Sequence, residues 1–68
     1  MRISARNQIS GTITDVVKGA TTAHIKIDIG GGTILTASIT NESVEELGLK
    51  KGVKATAIIK SSDVMVGV

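Results

Sequence analysis

The sequence has no phenylalanine, tyrosine or tryptophan, no cysteine and no proline. Each absence removes a class of explanation. Without aromatic rings no large side chain anchors a core, and no π-face is available for the bases of single-stranded nucleic acid to stack on. Without cysteine, neither a disulfide nor a thiolate metal site compensates for small size. Apolar runs stay well short of the ~18 residues that signal a membrane helix, and the first residues lack the apolar stretch of a secretory signal. The expected setting is therefore the cytoplasm, without a membrane. Basic residues outnumber acidic ones only 8 to 6, a net charge of +2, which is far from the dense basic stripe of a nucleic-acid binder.

What is present is aliphatic. Hydrophobic residues make up 41% of the 68, mostly isoleucine and valine, which is too much apolar surface for a disordered chain. The length fits one domain over residues 1–68. A domain this small buries only about 60% of the surface its unfolded chain exposes. Such folds usually need a staple, and the one left open here is oligomerisation. Part of the isoleucine and valine surface is expected to lie between subunits.

Hydrophobic periodicity orders the chain. Residues 2–17 read as a long strand in which Ile9, Gly11 and Ile13 alternate with Ser10, Thr12 and Thr14, with Gly11 marking a bulge or bend. Lys18-Gly19-Ala20 reads as a turn. Ala23 to Ile29 alternates again, with Ile25, Ile27 and Ile29 inward and His24, Lys26 and Asp28 outward. Gly30-Gly31-Gly32 makes a hairpin turn, and Thr33 to Ile39 is the return strand, with Leu35, Ala37 and Ile39 inward. Thr40 or Asn41 then caps a short helix carrying Val44 and Leu47 on its apolar stripe, closed by Gly48 and Leu49. After a turn at Lys50-Lys51-Gly52, Val53 to Ile59 forms a fourth strand with Ala55, Ala57 and Ile59 on one face; Lys54 and Thr56 face solvent. Val64 and Val66 alternate in a fifth. One short helix between strands three and four is the layout of the small five-stranded OB-like barrel, so the expected class is all-β.

Catalytic chemistry is poorly supplied. His24, the single histidine, lies on the polar face of its strand, and a general base needs a placed partner and a pocket. The acids Asp15, Asp28, Glu42, Glu45, Glu46 and Asp63 are scattered without metal-ligand spacing. The triple glycine lacks the Lys-Ser/Thr and the following helix of a phosphate-binding loop. No enzyme and no metal-cation site is expected. Three patches instead combine hydrogen-bond donors with an absence of acids: residues 4–7, 18–20 and 60–62. Hydroxyl, guanidinium, amide and ammonium donors suit an anion, and glycine turns let backbone N–H groups converge on one.

The segments Ile3-Ser4-Ala5-Arg6-Asn7-Gln8, Val17-Lys18-Gly19-Ala20, Ile39-Thr40 with Ser43-Val44-Glu45-Glu46-Leu47-Gly48-Leu49, and Ala57-Ile58-Ile59-Lys60-Ser61-Ser62-Asp63-Val64-Met65 resemble the molbindins. These are free-standing Mop domains that bind molybdate and tungstate. The resemblance covers nearly the whole chain. It implies an OB-like subunit that assembles as a homohexamer, a trimer of dimers, with molybdate or tungstate held at subunit interfaces for intracellular molybdenum storage. It also implies the oxyanion donors: Ser4, Ala5, Arg6 and Asn7; Lys18, Gly19 and Ala20; and Lys60, Ser61 and Ser62. Ser62 stands where the family often has threonine, which keeps the hydroxyl. His24 matches no family motif. Two other classes are set beside this reading. One is a structural or regulatory oligomerisation module with incidental anion binding, and the other is an OB-type nucleic-acid binder.

Overall fold

The computed structural model describes residues 2–68. Four strands form one antiparallel sheet in the order β3-β2-β1-β4: β1 is Asn7–Lys18, β2 Thr22–Gly30, β3 Thr33–Thr40 and β4 Lys54–Ile59. The helix α1, Asn41–Leu47, lies between β3 and β4 in the chain. The architecture is all-β and OB-like, a curled sheet that forms half a barrel rather than a closed one.

The first strand is long because it serves two partners. Its leading half, Asn7 to Thr12, pairs with β4, and its trailing half, Thr12 to Lys18, pairs with β2. Gly11 sits near the changeover. A Cβ there would stand 2.5 Å from the Asp28 carbonyl oxygen and 2.7 Å from Ile27 Cγ2, so the position is held by close approach. The bulge expected at Gly11 falls instead between Ile13 and Asp15, where the β1–β2 register shifts. That extra residue reverses the in–out parity. Ile13 is buried before it, Asp15 is exposed, and Val16 packs against the same core as Ile13.

The alternation in β2 is as the sequence indicates: Ala23, Ile25 and Ile27 are buried and His24, Lys26 and Asp28 exposed. Ile13 and Val44 complete the buried core among the described residues, with Leu35, Ala37, Ile39, Ala55 and Ala57 packed partly against it. Each fully buried isoleucine contributes about 1.5–3 kcal/mol, so a core this short leaves the isolated chain marginal. The β2–β3 hairpin turns through Gly30, Gly31 and Gly32, all at positive φ. The helix is capped at both ends. Thr40 Oγ1 accepts from the Ser43 N–H at 3.0 Å, and Gly48 at φ 63° lets the Leu49 N–H reach the Val44 carbonyl at 3.0 Å. Val44 is buried, whereas Leu47, expected on the same stripe, is 68% exposed.

The fifth strand is not formed among the described residues. Ser61–Asp63 is a 3-10 turn, closed by the Asp63 N–H donating to the Lys60 carbonyl at 2.9 Å, and residues 64–68 pair with no strand. The first strand likewise begins at Asn7 rather than at residue 2. At both ends the alternating segment stays off the sheet: among the described residues the outer edges of β3 and β4 are left unpaired, and neither terminal segment adds a strand to them. One consequence is an open apolar hollow of about 610 Å³, lined by residues including Ile25, Ile27, Leu35, Leu49 and Ala57.

Candidate functional site

The antiparallel pairing of β1 with β4 places Asn7 opposite Ile59. The residues just before the one and just after the other are therefore neighbours in space. Ser4, Ala5, Arg6, Lys60 and Ser61 line a single concavity of about 340 Å³, walled on its apolar side by Ile3 and Ile58. No carboxylate lines it. Its polar lining residues are Arg6, Lys60, Ser4 and Ser61, which carry a guanidinium, an ammonium and two hydroxyls. A tetrahedral dianion with four acceptor oxygens suits such a donor set, because a carboxylate at the same place would repel it.

Two residues expected in this cluster stand elsewhere. The Asn7 side chain donates through Nδ2 to the Ile59 carbonyl at 3.2 Å, tying β1 to the end of β4. Ser62 belongs to the 3-10 turn and does not line the concavity. A further brace comes from Gln8, whose Nε2 donates to the Ala5 carbonyl at 3.0 Å and shapes the segment that carries Ser4 and Arg6.

The third patch, Lys18-Gly19-Ala20, is at the opposite end of β1. Strand rise makes that separation roughly 36 Å along the contour, against a longest molecular dimension of 34 Å. No residue of this turn lines the concavity. The turn is also tied down. The Gly19 N–H donates to the Thr22 carbonyl at 2.7 Å, and the Gly19 carbonyl accepts from Asn41 Nδ2 at 2.9 Å. The Asn41 N–H donates to the Thr21 carbonyl at 2.9 Å. Lys18 Nζ forms an ion pair with the Glu45 carboxylate of α1. Lys18 and Ala20 are exposed; the Gly19 N–H is already used.

Asn41 and Glu45 are the residues that sequence reasoning missed around this turn. Of the two caps the sequence offers, Thr40 takes the duty, which leaves the Asn41 amide for Gly19. Its Oδ1 is buried without a partner. Only the fold brings α1 to the β1–β2 turn, so no local signal marks either residue. Among the described residues no group of three or more His, Cys, Asp or Glu is placed to hold a metal ion, and His24 stays exposed on the outer face of β2.

Comparison with known proteins adds a lineage to this geometry. The TOBE domain model matches residues 3–66. The chain is 50% identical over 66 residues to the molybdenum-pterin-binding protein 1 of Clostridium pasteurianum, covering 97% of each. Among solved structures it superposes on a molybdate-binding protein from Sporomusa ovata with a TM-score of 0.93 at 41% identity, covering 100% of both chains. It also matches the cytoplasmic molybdate-binding protein ModG, in a form with molybdate bound, with a TM-score of 0.95 at 46% identity over 48% of that chain. The chain thus belongs to the TOBE-domain family, within its group of molybdenum-pterin-binding (Mop) proteins.

Proposed function

We propose that this protein binds molybdate, and tungstate in the same way, as a non-enzymatic oxyanion carrier that stores or buffers molybdenum in the cytoplasm. The observation that carries the reading is the carboxylate-free concavity in which Ser4, Ala5, Arg6, Lys60 and Ser61 converge. The names of its relatives, molybdenum-pterin-binding and molybdate-binding proteins, support the choice of anion. Arg6 and Lys60 neutralise the dianion, and the Ser4 and Ser61 hydroxyls donate to its oxygens. Lys18 and Ala20 supply further donors from the far end of β1, and Asn7 and Gly19 hold the donor segments in place through their hydrogen bonds.

Assembly is part of the proposal. The open hollow, the exposed Leu47 and the exposed tail with Met65 at 93% and Val66 at 90% support burial against further copies of the chain. A homohexamer built as a trimer of dimers closes the five-stranded barrels and brings turn clusters of different chains to shared anions. Binding to the assembled state alone stabilises that state by mass action.

The test is calorimetric titration of the purified protein with molybdate, tungstate, sulfate and single-stranded DNA. Molybdate and tungstate should bind, sulfate weakly and DNA not at all. Equal heats for sulfate and molybdate mean a generic anion patch, and DNA binding alone means the OB-type nucleic-acid reading.

A further inference from the structure

The donor clusters differ in one respect that bears on anion binding. The concavity at Ser4–Arg6 and Lys60–Ser61 has no acid in its lining, whereas the turn cluster has Glu45 on its lysine. The Lys18 and Glu45 side chains remain 45% and 68% exposed, so the pair lies in water and is weak. It exchanges partners at little cost. The turn itself is fixed by the Asn41 and Thr22 hydrogen bonds, and its backbone does not depend on the ion pair.

We propose that Glu45 is an internal competitor for Lys18, a carboxylate that occupies the ammonium when no oxyanion is bound at the turn and sets the affinity of that site. This rests on the proposed reading of Lys18 and Ala20 as oxyanion donors. A molybdate arriving at the turn takes the ammonium from Glu45 and then stands near a displaced like charge. Both effects weaken binding there and leave the concavity at the other end of β1 untouched. The arrangement makes the turn the site that fills last and empties first, which suits a protein that must give its anion up.

The experiment compares molybdate titrations of the parent, Glu45→Gln, Glu46→Gln and Lys18→Ala at low ionic strength. Glu46 lies on the same helix and is exposed, so its glutamine variant removes one charge without touching the Lys18 pair. Glu45→Gln should tighten the weaker class of sites about two- to five-fold, the range an exposed ion pair commands. Glu46→Gln should change it little, and Lys18→Ala should weaken it. High salt should shrink the Glu45→Gln gain by screening. No gain or a loss in Glu45→Gln, or an equal gain from Glu46→Gln, overturns the inference while molybdate binding by the parent stands. A parent that binds no molybdate overturns the proposed function, and this inference with it.

Discussion

Asn7 and Ile59 face each other across the β1–β4 ladder, and Asn7 donates its side-chain amide to the Ile59 carbonyl at 3.2 Å. This one pairing turns two distant donor segments into one concavity. The Asn7 side chain is thereby committed to the Ile59 carbonyl, and under the proposed function its part is to fasten the backbone that carries the donors. Asn7→Ala should lower stability by about 0.5–1.5 kcal/mol, the net worth of one hydrogen bond. It should weaken molybdate binding less than loss of a charged donor. Urea denaturation and titration on the same variant measure the two effects; a large affinity loss at unchanged stability would put the Asn7 amide in direct contact with the anion.

Gly11 makes a sharper demand. An alanine Cβ would stand 2.5 Å from the Asp28 carbonyl oxygen, a backbone atom that cannot swing aside. Gly11→Ala should therefore destabilise the fold by about 1–3 kcal/mol or more, as overpacking does. Gly19→Ala, whose Cβ would lie 3.0 Å from the Thr22 carbonyl oxygen, should cost less. Thermal melts of both variants check the ranking.

Assembly gives a prediction that an isolated chain would fail. Val66 is 90% exposed in the single chain, so Val66→Asp should be nearly silent in a monomer. If the tail is covered by another copy, the substitution buries an unpaired carboxylate and should dissociate the assembly. Light scattering at micromolar concentration should find the parent as a stable oligomer and Val66→Asp as a smaller species. A folded parent monomer would end the assembly proposal.

The strands and helix were legible because their signals are local. Ile25, Ile27 and Ile29 alternate with charged residues, three glycines make the hairpin, and Thr40 and Gly48 bracket the helix. The bulge after Ile13 was not legible, because Val16 and Val17 are both apolar and either parity fits the sequence; the fold selects Val16. The expected fifth strand failed for a related reason. Val64 and Val66 alternate properly, but alternation states only that a segment can pair, not that it does, and among the described residues this segment pairs with neither open edge of the sheet. The donor clusters were visible by composition, yet their grouping was not. Pairing of β1 with β4 joins Arg6 to Lys60 in one concavity that Lys18 does not line. Glu45, four residues after α1 begins at Asn41, carried no mark of its contact with Lys18.

Lys60 offers the most direct test of the concavity. It follows the last residue of β4 and precedes the 3-10 turn, and it lines the concavity with Ser61 and Arg6. Two cations in one concavity without an acid repel each other until a dianion arrives. Lys60→Ala removes one charge-assisted hydrogen bond, worth about 1.5–3 kcal/mol, so molybdate affinity should fall roughly ten- to a hundred-fold. The ligand-free protein should lose no stability and should gain slightly, since like-charge repulsion is relieved. Lys60→Glu should bind worse than Lys60→Ala, because its carboxylate repels the dianion. Lys54→Ala is the control: Lys54 is exposed at the start of β4, away from the concavity, and its loss should leave binding nearly unchanged. Titration calorimetry on the four proteins separates the outcomes. If Lys60→Ala binds molybdate as tightly as the parent, the role given to Lys60 fails and the anion is held elsewhere.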